Sequence, residues 1–183
     1  MSSKKVEKLN IYKKYYSLED YLFKEISNNF KEKHYLTNEE FFAIVIWKSN
    51  RSKTKVLKGV EISGKTIKRI TEKFEEQNRE EKINNLVKIS GIHIPIASAI
   101  LSVCFSNEFT IADYRVAETI NKIKNTEIKN PSYSIENYLE YLDICKEIAE
   151  KWNLSLRDLD KCLWGYDFYK GKSGLKELVR TLN

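Results

Sequence analysis

Residues 86–116 read LVKISGIHIPIASAILSVCFSNEFTIADYRV, and the way this stretch is interrupted decides the fold. One apolar run stops at Ser90 and Gly91, and a second begins at once with Ile94 and Pro95. Glycine tolerates the left-handed backbone that ends a helix, and proline fits the first turn of a helix, where its missing N–H is not needed. The stretch therefore predicts a helical hairpin over about residues 80–104 that turns at Gly91.

The rest of the chain also predicts helices. Its 183 residues include only 2 prolines and 6 glycines, which suits long helices with short connections. Helix starts are indicated at Ser17, Ser134 and Ser155, and a capping box from Thr37 to Glu40 precedes the apolar run FFAIVIW. That run has the composition of a buried strand, but the capping box and flanking charges favour a helix. The sequence therefore predicts an all-α, compact multi-helix domain.

The sequence is compatible with two domain organisations. It forms a single helical domain over residues 1–183, or two lobes in which about 30–123 is the central lobe and 1–29 packs with 124–183. Residues 124–134 are the best candidate for a linker. The amphipathic run 135–152 has apolar residues at steps of three and four up to Trp152, so the C-terminal helices must pack back to cover it.

Composition limits the classes of function. Hydrophobic residues make up 42%, and the net charge of +6 permits an anionic partner such as nucleic acid without demanding one. No C-x-x-C pattern joins Cys104, Cys145 and Cys162, which argues against a disulfide framework, a zinc site or an iron–sulfur cluster. We expect no signal peptide, no membrane span and no cofactor, and a cytoplasmic, nucleoid-associated monomer.

The predicted hairpin has the geometry of an anion site. Backbone N–H groups at the start of a helix attract negative charge, and a DNA phosphate would fit there. The residues predicted to contact duplex DNA at the hairpin are Lys88, Gly91, Ile92, His93 and Ile94. The alternative is an ordinary helix–helix turn that only packs.

The segment from the hairpin to Asp113 resembles a known family. The second helix carries the small residue Ala97, and a short loop then leads to Asp113, which Tyr114 and Arg115 follow directly. This arrangement resembles the helix-hairpin-helix/Gly-Pro-Asp (HhH-GPD) DNA glycosylase superfamily, which includes the endonuclease III-like repair enzymes. Gly91 matches the first glycine of the family pattern, Ala97 its alanine and Asp113 its aspartate. The resemblance covers about residues 80–122.

The resemblance implies an HhH-GPD glycosylase-like fold and base excision with Asp113 as the catalytic residue. The second hairpin glycine of the family is His93 here, the lysine of bifunctional members is replaced by Pro95, and the cluster-binding cysteines are absent. It therefore implies a monofunctional enzyme that hydrolyses the N-glycosidic bond of a damaged or modified base. Two alternatives stay open: a non-catalytic helix-hairpin-helix module in a repair or defence assembly, and a helical interaction protein.

The type and position of other residues indicate further roles. Trp47 is predicted to stack on a base, with Lys48, Arg51 and Arg115 near phosphates. The alternative for this segment is a core helix whose last turn carries cations, and the alternative for Asp113 is a simple helix cap.

Cations are interleaved with aromatics, as on nucleic-acid surfaces, at Lys13, Lys14, Tyr15 and Tyr16, but lysines lying over a tyrosine-rich rim would explain this pattern equally well. In the C-terminal part, we expect Leu163 and Trp164 to be core residues and Arg157 to be a surface or ion-pair residue. Asp158 and Asp160 are two positions apart on a helix, so they do not face each other. Neither histidine has a partner at metal-ligand spacing, so we predict no metal.

Overall fold

The computed structural model describes residues 17–171 and 175–180, and helices are the regular secondary structure in those ranges. The described residues contain no β-strand, which confirms the predicted all-α class. FFAIVIW is helical, as its capping box predicts. The basic and aromatic residues Lys13 to Tyr16 lie outside the described residues.

The helices follow one another with short connections. The first, α1, is continuous and combines α-helical Leu18–Asp20, π-helical Tyr21–Ile26 and α-helical Ser27–Lys33. The following elements are α2 (Asn38–Ser49), a 3-10 turn (Asn50–Ser52), α3 (Lys53–Ser63), α4 (Ile67–Thr71), α5 (Arg79–Val87), α6 (Ile94–Cys104), α7 (Tyr114–Lys124), α8 (Ile135–Trp152), α9 (Leu156–Lys170) and α10 (Leu175–Arg180). No sequence signal predicted the π-helical stretch.

Side-chain caps fix three of the predicted helix starts. Thr37 Oγ1 accepts the N–H of Glu40, and the Glu40 carboxylate accepts the N–H of Thr37, so the capping box is complete. Ser134 and Ser155 each accept an N–H from the third residue beyond them. Ser17 precedes α1 as predicted, although its hydroxyl donates to Asp20 instead of capping the helix.

The helical hairpin is present and turns at Gly91. Helix α5 ends at Val87, and α6 begins at Ile94 with Pro95 in its first turn. Gly91 has a φ of 89°, in the left-handed region of backbone conformation that residues with a Cβ atom rarely adopt. The interruption of the apolar sequence therefore has the physical origin predicted for it.

A second glycine lets the hairpin pack directly on α3. A Cβ atom on Gly91 would lie 2.7 Å from backbone atoms of Lys55 and Val56, and one on Gly59 would lie 2.0 Å from the carbonyl oxygen of Ser90. No side chain fits at either place without moving backbone. The two glycines thus bring α3 and the hairpin into backbone contact.

Helix α6 lies at the centre of the fold. Every side chain from Ile96 to Cys104 is buried, and α6 contacts α1, α2 and α5. The small residues Ala97, Ser98 and Ala99 are fully buried in this helix. A helix that is apolar on all sides belongs in the core, because no face of it suits water.

The loop between α6 and α7 is held by hydrogen bonds in the core. The Tyr138 hydroxyl donates to the Thr110 carbonyl at 2.7 Å, and the Tyr141 hydroxyl donates to the Ile111 carbonyl at 3.2 Å. The Ala112 N–H donates to Ser98 Oγ at 2.9 Å. These bonds satisfy buried backbone groups of an irregular segment and fix the residues that lead directly to Asp113.

Helices α8 and α9 pack back as the sequence predicts. Arg157 of α9 forms an ion pair with Glu19 of α1 at 3.0 Å, which joins the C-terminal and N-terminal parts of the chain. The apolar stripe of α8 is buried along most of its length, but its last member, Trp152, is 40% exposed. The expectation that the stripe stays covered through Trp152 is therefore wrong at its end.

In the ranges 17–171 and 175–180, no helix is both long enough and apolar enough to cross a membrane.

We expect Gly91→Ala to lower the free energy of unfolding by about 2–5 kcal/mol, because it adds left-handed strain of about 1–2 kcal/mol and overpacking of about 1–3 kcal/mol. Gly64→Ala is the matched control, since Gly64 has φ of 64° but open space around it. Gly64→Ala should lower the free energy of unfolding only by the left-handed strain, about 1–2 kcal/mol. Urea denaturation measures both, and equal losses would contradict the tight contact with α3.

Candidate functional site

A cleft of about 730 Å³ opens where the end of α2, the start of α7 and one face of α9 meet. Its volume is in the range of about 300–1,000 Å³ typical of small-molecule sites. Tryptophan and charged side chains line it, and the lining residues are Glu19, Trp47, Lys48, Ile111, Asp113, Arg157, Asp160, Lys161, Trp164 and Gly165. The sequence predicts functional roles for Trp47, Lys48 and Asp113, and the fold brings these three together.

Asp113 is both a helix cap and a cleft residue. Its Oδ1 accepts the N–H of Arg115 at 3.0 Å, which caps α7. Its Oδ2 lies 3.7 Å from Nζ of Lys48, and each of these side chains is 19% exposed. The two alternatives for Asp113 therefore do not exclude each other, because its carboxylate caps the helix and also lines the cleft.

Lys48 points into the cleft from the last turn of α2. Burial lowers the pKa of its ammonium group, and the carboxylates of Asp113 and Asp160 oppose that effect. The sequence predicts that Lys48 contacts phosphate together with Arg51. The structure separates them, because Arg51 is exposed in the 3-10 turn.

Asp160 is a buried carboxylate beside the cleft, 6% exposed. Burial raises its pKa to about 6, while Arg157 and Lys48 act in the opposite direction. Arg157 forms an ion pair with Asp160 through Nη1 and with Glu19 through Nη2. Glu19 is also 2.9 Å from Lys161, so the charges along this wall form one network.

Two tryptophans form walls of the cleft. Trp47 meets the edge of Phe23 at 5.6 Å between ring centroids, and the Arg157 guanidinium lies 5.4 Å from the Trp47 ring centroid. Trp164 was predicted to be core, but it is 41% exposed and stacks parallel on Phe168 at 5.4 Å. The prediction failed because Trp164 lies on the cleft face of α9, beside the face that carries the buried leucines of that helix.

The contribution of α9 to the cleft was not predicted. Asp160 follows the buried Leu156 by four positions and precedes the buried Leu163 by three, so its place on an inward face could have been recognised. Arg157, Asp160 and Trp164 have the same helical spacing and share the cleft. Asp158 is exposed on another face and bonds to Ser155, so the two aspartates do not form a pair.

The hairpin offers fewer contacts to DNA than the sequence indicates. Lys88 and His93 are exposed, whereas the side chains of Ile92 and Ile94 are buried and can present only backbone to a partner. The Ile92 N–H is used within the turn, in a 3.0 Å bond to the Ile89 carbonyl. Within the described part of the chain, the N–H groups of Gly91, His93 and Ile94 make no backbone hydrogen bond.

Among the described residues, no three histidine, cysteine, aspartate or glutamate side chains lie close enough together to hold a metal ion. His34 is paired with Glu75 at 2.6 Å, and His93 lies at the hairpin. The site consists instead of carboxylates, the cations Lys48, Arg157 and Lys161, and aromatic walls.

Comparison with known proteins gives no relative for this chain: no protein-family model, no curated protein and no solved structure matches it.

Proposed function

We propose that the chain binds duplex DNA and hydrolyses the N-glycosidic bond of a damaged or modified base through Asp113. One observation carries the proposal: a carboxylate oxygen of Asp113 borders a cleft of about 730 Å³ that has tryptophan walls. A base-excising enzyme has these requirements, because it must accept an extruded base, hold it by stacking and act on the sugar.

Asp113 supplies the negative charge that the reaction needs. Breaking a bond between a base and a sugar passes through a sugar cation, which a nearby carboxylate stabilises, and the carboxylate can also take a proton from attacking water. The capping bond occupies Oδ1 and holds the group in place. Oδ2 is the oxygen that remains for the sugar or for water.

Trp47 and Trp164 supply the surfaces for the base. Stacking on an aromatic ring contributes about 1–3 kcal/mol per base and tolerates different bases. Phe23 and Arg157 pack against Trp47 and fix its ring. Trp164 is backed by Phe168 and is exposed on the cleft side, which suits a base that enters from solvent.

The hairpin and the cations near the cleft supply the contacts to the DNA backbone. Lys88, His93 and the amides of Gly91 and Ile94 form one set, and Arg115 follows Asp113 at the start of α7. Each phosphate that a cation neutralises releases counterions, which makes affinity strongly dependent on salt. The alternative is a DNA-binding module without catalytic activity, and a measurement of base release distinguishes the two.

Asp113→Asn should reduce base excision at least about 100-fold, because removing one key electrostatic group costs about 10²–10³ in rate. Asparagine caps helices as well as aspartate does, so the fold should be retained. The measurement is release of bases from a panel of lesion-bearing duplex oligonucleotides. Affinity for undamaged duplex should not fall, because the carboxylate acts on the transition state.

Asp143→Asn is the control for that experiment, since it makes the same change of charge at an exposed side chain paired with Arg79, away from the cleft. It should excise like wild type. Wild-type DNA binding without release of any base in the panel would favour the non-catalytic module, and excision that survives Asp113→Asn would refute the role of Asp113.

Affinity for undamaged duplex should fall steeply between low and high salt, and Lys88→Gln should reduce the slope of log affinity against log salt by about 1. Lys151→Gln, which changes an exposed lysine at the end of α8, is the matched control and should leave the slope unchanged. Fluorescence anisotropy with a labelled duplex measures both. A flat salt response in the wild type would rule out binding through phosphates.

A further inference from the structure

The partly buried amine of Lys48 has no role in the proposed hydrolysis. Its side chain comes from α2, not from the hairpin, and it is 19% exposed. It lines the same cleft as Asp113, and its Nζ lies 3.7 Å from Asp113 Oδ2. A lysine that binds backbone phosphates would extend along the surface, whereas this one lines the cleft beside the Asp113 carboxylate.

The surroundings of Lys48 favour a reactive amine. Only the neutral form of a lysine attacks carbonyl carbon, and burial is the usual way in which proteins make that form accessible. Burial lowers the pKa of Lys48, and this effect prevails over the opposing influence of the Asp113 and Asp160 carboxylates. Lys161, the other lysine at the cleft, differs because it is half exposed and paired with Glu19 at 2.9 Å.

We propose that Lys48 captures the aldehyde of an abasic deoxyribose in this cleft by forming an imine with its C1′ carbon. The inference rests on the proposed function, since base excision leaves such a sugar. It also changes one expectation from the sequence: Pro95 occupies the position of the hairpin lysine, but a different helix brings an amine to Asp113. The cleft therefore contains an amine of the kind that a strand-cleaving step requires.

The chemistry needs no additional reactant. After the Lys48 ammonium has lost a proton to solvent, the neutral Nζ forms a bond to C1′ of the ring-opened sugar. The carbonyl oxygen takes one proton from Nζ and one from solvent and leaves as water, which gives an iminium ion. The iminium ion then loses a C2′ proton to the Asp113 carboxylate. The electrons of that C–H bond form a C2′–C3′ double bond as the bond between C3′ and its oxygen breaks, and the phosphate leaves with the downstream strand. Water finally hydrolyses the imine and restores the amine.

Borohydride trapping tests the proposal. The probe is a duplex in which an abasic site has been made beforehand by removing uracil with a separate uracil glycosylase, so the result does not depend on excision by this chain. Wild-type protein with sodium borohydride should give a covalent adduct on a denaturing gel, and peptide mapping should place the adduct at Lys48. A tetrahydrofuran site, which has no aldehyde, should give none.

Lys48→Arg keeps the positive charge but removes the nucleophile, and it should reduce the adduct at least about 10-fold, because arginine stays protonated and forms no imine. Lys151→Arg, at an exposed lysine that does not line the cleft, is the matched control and should trap like wild type. Thermal unfolding and duplex affinity of Lys48→Arg, compared with wild type, show whether the variant is folded and able to bind. If Lys48→Arg fails to fold, the mapped site of the wild-type adduct decides the question.

No adduct with the wild type, an adduct mapped to another amine, or full trapping by Lys48→Arg would each overturn the role of Lys48. Excision without trapping would leave the proposed function intact and refute this inference. Trapping at Lys48 without excision of any tested base would support the amine and count against the proposed glycosylase activity.

Discussion

Buried hydrogen bonds from α6 and α8 hold the loop before Asp113, and the geometry of the cleft depends on them. Tyr138 and Tyr141 are fully buried, and their hydroxyls donate to the Thr110 and Ile111 carbonyls, while Ser98 accepts the next N–H. An irregular segment can lie in a core only if such partners exist, because unpaired buried polar groups cost about 1–3 kcal/mol each. The loop is thereby fixed, and Asp113 precedes α7 at a defined place.

The charges of the cleft are arranged around that fixed carboxylate. Lys48 approaches it from α2, and the network of Asp160, Arg157 and Glu19 crosses from α9 to α1. Burial shifts the pKa of Lys48 downward and that of Asp160 upward, so in both groups the charged form is less favoured than it would be in water. Perturbed ionisable groups that meet in a cleft with aromatic walls are typical of functional sites.

Local features of the fold could be predicted from the sequence, whereas contacts between distant residues could not. Gly91 and Pro95 mark the hairpin, and the caps at Thr37, Ser134 and Ser155 mark helix starts, because each signal acts within a few residues. The contribution of α9 was not predicted, since Trp164 has the residue type of a core position and only packing shows which face it occupies. The pairing of Lys48 with Asp113 joins residues far apart in sequence, and no local pattern encodes it.

The most direct test of the claim that Asp113 stabilises a sugar cation does not require the damaged base to be known. A duplex with a cationic pyrrolidine in place of the sugar mimics the transition state, and a tetrahydrofuran duplex is its neutral counterpart. Wild-type protein should bind the pyrrolidine duplex at least about 100-fold more tightly, the lower end of what transition-state analogues gain. Asp113→Asn should lose that preference. Equal affinity of the wild type for both duplexes would contradict the role of Asp113.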